Sequence, residues 1–475
     1  MIFSSPIFLF IFLPCVFILH TMIKNTQARN ILLAAASLVF YAFGQLFYVP
    51  LFLFSILINY VSGVLLIGGK GRRLILALSV ALNIGLLCVF KYTDFLIENI
   101  NAICGMQLPE TGIILPIGIS FFTFQGLSYV IDVYRDPKTG TKNFLKLFLY
   151  ISFFPQLIAG PIVKYHDIAD QIDHRELERD GLNEGARRFC IGVAKKVLIA
   201  NVVGNIADKV FVDLLAAYGA AMDWRIAWLG AICYMLQIYY DFSGYSDMAI
   251  GMGRMFGFRF LENFNHPYAA VSIQDFWRRW HISLSSWFKE YLYIPLGGNR
   301  RGKLRTALNK LIVFFCTGIW HGANWTFLFW GLGHGLLSSL EGAGIIPAKR
   351  LSQSKAGRLF CRIYTLLAVM LLFVIFRADS IRDGFSVIAA MFSGHFASDG
   401  TYLLASMLPA ATVFILILAV VLSGEFWPRM KAKLLKISAP GKGVHLSNAS
   451  ALLLYAISIL SLSRGGFNPF IYFQF

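Results

Sequence analysis

Leu311–Leu340 reads LIVFFCTGIWHGANWTFLFWGLGHGLLSSL and contains no Asp, Glu, Lys or Arg. About thirty residues are more than the roughly twenty that one membrane-crossing helix needs. Gly318 and Gly322 weaken a helix within the run. The stretch is therefore expected to form two helices packed as a hairpin in a membrane interior. His321 lies in its middle, in Trp320-His321-Gly322-Ala323-Asn324-Trp325, and is placed near the bend or near one helix end. An imidazole is expensive in hydrocarbon unless it has a partner or faces a polar cavity, so a functional site is the first expectation. The plainer alternative is a histidine that hydrogen-bonds a neighbouring helix.

Composition supports the membrane reading. The chain has 475 residues, 57% hydrophobic and only 14% charged, with a mean hydropathy of +0.65. Soluble domains are about a quarter charged. The 42 Lys and Arg exceed the 25 Asp and Glu, for a net charge of +17. In a membrane protein this excess is assigned to basic cytoplasmic loops that fix topology and meet anionic lipid. No zinc-finger spacing or other nucleic-acid module is visible, which sets nucleic acid aside as a partner. The seven cysteines are scattered singly, which argues against both a disulfide framework and a metal site. Cys316 stands five residues before His321, out of helical phase with it, and is not expected to act as its nucleophile. Met1–His20 has no basic leader and no small-residue cleavage site, and reads as a retained first span.

Hydrophobic segments fall at about 2–19, 31–48, 51–68, 74–90, 113–133, 144–160, 188–212, 226–250, 310–322, 324–341, 359–376, 402–424 and 449–463. Lys and Arg in the loops at 21–30, 69–73, 134–143, 275–310, 341–358 and 425–447 place those loops in the cytoplasm and the N-terminus outside. An even number of crossings must separate residues 143 and 275, yet three apolar segments lie there. One of them is expected to re-enter or lie in the interface, with 144–163 and 188–212 as the candidates. Broken helices at membrane depth are tolerated where they are buried in protein or line a cavity. The fold class is thus all-α and polytopic, with about eleven or twelve spans plus re-entrant or interfacial helices around a central polar cavity. The chain reads as a single domain, 1–475, with a core at about 113–341.

Residues 237–305 are the polar exception. They open with Gln237-Ile238-Tyr239-Tyr240-Asp241-Phe242-Ser243-Gly244-Tyr245-Ser246-Asp247 and include Glu262-Asn263-Phe264-Asn265-His266. Ser272 with Asp275 three residues on resembles a capping box. The helix it starts is expected to run on to Lys289, with Trp277, His281, Leu284 and Phe288 on one face and His281 on the buried side. Arg278 and Arg279 would reach headgroups or a polyanionic cofactor. The turn-rich loop Pro295–Lys303, with Arg300, Arg301 and Lys303, would hold cofactor phosphates or simply keep the loop inside. An interfacial amphipathic helix with basic anchors is the competing reading.

These residues resemble the membrane-bound O-acyltransferase (MBOAT) family. The resemblance rests on Asp275-Phe276-Trp277-Arg278-Arg279-Trp280-His281-Ile282-Ser283-Leu284-Ser285, Pro295-Leu296-Gly297-Gly298 and Trp320-His321-Gly322. Leu115–Phe124, Phe154-Pro155 with Ala159-Gly160-Pro161, Asp241–Asp247 and the Phe470–Phe475 ending add to it, so that it covers nearly the whole length. Within the family, the branch of alginate, peptidoglycan and cellulose O-acetylation proteins, and of the D-alanyl transfer protein of teichoic acid, is the most similar.

What the resemblance implies is acyl transfer from a cytoplasmic thioester across the bilayer. His321 matches the histidine taken as essential in the family and is expected to be the general base, since a neutral imidazole suits proton abstraction near pH 7. His281 would orient it or polarise the thioester carbonyl. Asn324, at i+3 if the backbone is helical, would donate to the developing oxyanion. No cofactor is expected to stay bound; acetyl-CoA is the expected donor substrate. The acceptor is a polysaccharide, alginate-like or peptidoglycan, reached directly or through an extracytoplasmic partner acetyltransferase. The expected location is the inner membrane of a bacterium. D-alanyl transfer to teichoic acid from a carrier protein is the alternative within the same chemistry, and a polysaccharide-precursor transporter is the alternative from another class.

Overall fold

The computed structural model describes residues 1–158, 160–426, 430 and 442–463. Ala159, Arg429, Lys431, Lys433, Lys436 and the Phe470–Phe475 ending lie outside the described residues. The structure is 79% helical, with no strand among the described residues. Among the described residues, five helical stretches are long and apolar enough to cross a membrane: Thr26–Ile67, Arg72–Cys104, Arg179–Ala221, Lys355–Arg377 and His445–Ser463. Gly400–Met407 and Ala410–Ser423, bent by 74° at their break, would add a sixth. The larger number of apolar runs in the sequence includes a shorter helix, Phe8–Met22, and segments that are broken. The protein is an all-helical, multi-pass membrane protein.

Backbone contacts divide the chain into two compact units, one of residues 1–189 with 245–262 and one of 190–244 with 263–475. In the first, Val49–Ile67, Arg72–Cys104 and Ile119–Arg135 pack together. The buried amides of Asn59 and Asn83 exchange two hydrogen bonds of 3.1 Å and also donate to the Ser55 and Ser79 carbonyls. A closed amide pair is an efficient way to join helices where no water competes. The 144–163 segment is broken, as its prolines suggest. Helix Phe144–Ser152 ends at Phe153 and a single turn, Phe154–Leu157, follows with Pro155 in its first positions. Side chains tie this buried stretch together: the Tyr150 hydroxyl donates to the Val163 carbonyl (3.0 Å) and the Gln156 amide to the Tyr150 carbonyl (2.5 Å). This is the condition under which broken helices persist at membrane depth.

The second unit holds the hairpin. Gly302–His321 and Trp325–Ala343 are the two helices. Gly318 stays helical rather than breaking the chain. A Cβ there would lie 2.5 Å from the Phe327 carbonyl oxygen, so this glycine serves close approach of the two backbones. The break comes at Gly322, which is extended (φ −172°, ψ 162°).

One expectation is overturned. The 272–289 segment is two helices, Ile273–Arg279 and Ile282–Phe288, with His281 between them in the left-handed region (φ 43°, ψ 54°). The capping box is half formed. Ser272 Oγ accepts from the Asp275 N–H (3.0 Å), but Asp275 accepts from the Val271 N–H (3.3 Å). The chain turns at His281 because two backbone bonds tie it to the preceding segment. The Asn265 N–H donates to the Arg279 carbonyl (2.9 Å) and the Ile282 N–H to the Asn263 carbonyl (3.0 Å).

Candidate active site

His321 is the last residue of the Gly302–His321 helix and is 6% exposed. Three rings meet it edge to face: Trp320 and Trp330 at 5.0 Å and Phe376 at 5.2 Å between centroids. The bend that sets it there is closed by Asn324. Asn324 is not helical but extended (φ −149°, ψ 147°), so the i+3 relation to His321 does not hold. Its Oδ1 accepts from the Thr326 N–H (3.0 Å) as the N-cap of the next helix, and its Nδ2 donates to the Asp379 carbonyl (2.9 Å). The structure thus gives Asn324 a capping task, the usual one for Asn at a helix start.

His281 is completely buried, as the sequence suggests, but by a different geometry. Left-handed backbone costs a non-glycine residue roughly 1–2 kcal/mol and persists where neighbours over-determine it. Its Nδ1 lies 3.2 Å from Asn263 Oδ1. The same oxygen accepts from the Ser283 backbone N–H (3.2 Å) and the Ser283 hydroxyl (2.9 Å). Because a backbone N–H can only donate, the Asn263 atom is the carbonyl oxygen. Nδ1 of His281 must then carry the proton, and in the neutral ring Nε2 carries the lone pair. Phe242 packs edge-on against this imidazole at 4.6 Å, and Trp320 at 6.1 Å. Trp320 also contacts His321, so one indole lies against both histidines.

Two residues of this site were given no role by the sequence. Asn263 fixes the His281 tautomer from 18 positions away, a pairing that no local pattern encodes. His334 sits fully buried among Phe276, Trp277, Phe314 and Trp330, and among the described residues neither of its nitrogens has a hydrogen-bond partner. Trp330 meets His334 at 5.1 Å as well as His321 at 5.0 Å. The charge-free run that singled out His321 contains His334 too, and the same expense of a buried imidazole was the available signal. A cavity of about 160 Å³, lined by Trp277, Leu284, Phe288, Val313 and Phe314 with Lys289, shares two of the rings around His334.

The basic residues fall into two groups. Arg279 is paired with Asp275 (3.1 Å) and Glu425 (3.0 Å), and Arg278 beside it is exposed. Arg300, Arg301 and Lys303 are exposed around the Pro295–Gly302 turn. Asn309 Nδ2 anchors that turn by donating to the Gly298 carbonyl (2.9 Å). Arg279 is therefore committed to carboxylates, while Arg278, Arg300, Arg301 and Lys303 present their charge outward.

Chemically, the arrangement offers buried imidazoles enclosed by aromatic rings. One imidazole has its tautomer set by a second residue, as positioned general bases do.

The sequence model of the MBOAT, membrane-bound O-acyltransferase family matches residues 134–381. The chain is 41% identical to the "Probable alginate O-acetylase AlgI" of Azotobacter vinelandii over 100% of both chains. It is 38% identical to the "Peptidoglycan O-acetyltransferase" of Helicobacter pylori, over 82% of this chain and 80% of that one. Similarity to the "Teichoic acid D-alanyltransferase" of Bacillus subtilis is 28%, over 48% of this chain and 59% of the relative.

Proposed function

Because this chain belongs to the membrane-bound O-acyltransferase family, we propose that it takes an acetyl group from a cytoplasmic thioester and passes it across the bilayer for O-acetylation of a polysaccharide. The enzyme class is acyl transfer to a hydroxyl. Relatives named as O-acetylases align over most or all of the chain at 38–41%, whereas the D-alanyltransferase aligns over about half at 28%. That difference favours acetyl over D-alanyl. The donor in this reading is acetyl-CoA. The acceptor is an alginate-like exopolysaccharide or peptidoglycan, met directly or through an extracytoplasmic partner acetyltransferase. The membrane is the inner membrane of a bacterium.

In the proposed reaction the acceptor oxygen attacks the thioester carbonyl as its proton passes to His321. The carbon–sulfur bond breaks, an ester forms, and the imidazolium returns the proton to the departing thiolate. His281 then acts as an acceptor. A neutral ring that donates Nδ1–H to Asn263 has no proton on Nε2, so it orients a hydroxyl or a neighbouring N–H rather than polarising the carbonyl. Arg278, Arg300, Arg301 and Lys303 are the cations proposed to meet donor phosphates.

The observation that carries this reading is the shared indole of Trp320, which lies against a histidine at the break of a charge-free helical hairpin and against a second whose tautomer is fixed. The test is full-length protein in vesicles with radiolabelled acetyl-CoA and a glycan or partner extract. Labelled acceptor together with released CoA is the expected result. Turnover of D-alanyl thioester but not acetyl-CoA would overturn the choice of donor.

A further inference from the structure

Lys196 and Asp241 form an ion pair of 2.5 Å whose side chains are only 6% and 1% exposed. Lys196 lies in a π-helical turn, Lys195–Ala200, of an apolar helical stretch, and Asp241 in the Trp224–Met255 helix. Ionised groups at such a depth are expensive, and the reaction described above does not use them. A buried pair is weak evidence for stability, since apolar residues of similar volume often serve as well. Its best-attested use is to fix register, and the neighbouring contacts show a register to be fixed.

The two helices run antiparallel at close quarters. A Cβ on Gly244 would lie 2.9 Å from the Gly192 carbonyl oxygen, and one on Gly204 would lie 2.7 Å from Gln237 Nε2. Farther along, Gly230 faces Val210. Small residues thus let the backbones slide together at three levels but hold no particular level by themselves. The ion pair sits between the Gly192–Gly244 and Gly204–Gln237 levels. The residue after Asp241 is Phe242, whose ring lies against His281 at 4.6 Å and against Phe264 at 5.0 Å. Phe264 follows Asn263, the residue that holds the His281 ring. A slip of one helical turn, about 5.4 Å, would carry Phe242 out of contact with the imidazole.

We propose that the Lys196–Asp241 ion pair is a positioning device that pins the register of these two helices and thereby holds Phe242 and the Asn263-bound His281 in place. The inference deepens the acyl-transfer reading and rests on it for its kinetic test, but not for its structural one. The decisive variant is the double substitution Lys196→Met with Asp241→Leu, in the full-length protein in vesicles. It removes both charges of the pair together. The expected result is normal insertion and Tm, a kcat for acetyl transfer about tenfold lower with KM within about twofold, and a shifted His281 ring signal in ¹⁵N-histidine NMR. Wild-type kcat with an unchanged His281 signal in the double variant would overturn the proposal, and so would a fall in kcat with that signal unmoved. If the wild type itself shows no acetyl transfer, the functional reading fails while the His281 signal still decides this one: a shift supports the pin and no shift removes it. Should the double variant not insert, Asp241→Glu, which keeps both charges but lengthens the link, carries the same expected shift and the same contrary result.

Discussion

Asn263 gives one carbonyl oxygen to His281 Nδ1, at 3.2 Å, and in doing so settles which nitrogen of that ring carries the lone pair. The oxygen is identified by the Ser283 backbone N–H that donates to it. Asn263→Leu would remove the one oxygen that accepts from three buried donor groups. Each unsatisfied buried donor costs about 1–3 kcal/mol, so a clear fall in Tm and a loss of transfer are expected together. Asn263→Asp keeps an acceptor at the same place and should recover most of the stability. Equal Tm for Leu and wild type would show that the bond has no weight.

The left-handed backbone at His281 makes a prediction about substitutions there. Asn and Gly adopt this conformation more easily than Ala. His281→Gly should therefore be more stable than His281→Ala, by up to about 1–2 kcal/mol, as measured by thermal unfolding in detergent. His281→Asn should insert well and keep more transfer than either, because it retains a polar group. A stability order with Ala above Gly would contradict the backbone geometry.

Gly318 and Gly85 are both helical, but only Gly318 faces another backbone. A Cβ on Gly318 would press on the Phe327 carbonyl, while nothing lies within 4 Å of one on Gly85. Gly85→Ala should be neutral or stabilising by up to about 1 kcal/mol, from helix propensity alone. Gly318→Ala should lower Tm and reduce transfer by opening the hairpin next to His321. Comparable melting of the two variants would refute the close approach.

His334 makes no hydrogen bond among the described residues, so an apolar ring should replace it at little expense. His334→Phe is expected to keep the folding stability within about 1 kcal/mol of wild type, because no buried partner is orphaned. A loss of several kcal/mol would mean that the imidazole has a polar role in the fold.

The hairpin around His321 was legible because a charge-free run too long for one span, with glycines inside it, constrains the chain locally. Burial of His281 was legible from its helical spacing to Trp277 and Leu284, yet the helix was not continuous. Histidine carries no signal for a left-handed turn, and the bonds that impose it come from Asn263 and Asn265 in the preceding segment. Asn324 likewise lies off the helical spacing that the sequence suggested. Its role follows from a cap that exists only once the break at Gly322 is known. The tie between Lys196 and Asp241 spans two helices, and only the folded chain brings its glycine levels into line.

His321 is the residue assigned to take the acceptor's proton. Purified protein in vesicles, given radiolabelled acetyl-CoA and an acceptor extract, should transfer acetyl as wild type and fail to do so as His321→Ala, with equal insertion and a similar Tm. Loss of transfer with the fold intact is the predicted result. Wild-type transfer by His321→Ala would contradict the account, since no other residue is assigned to take the acceptor's proton.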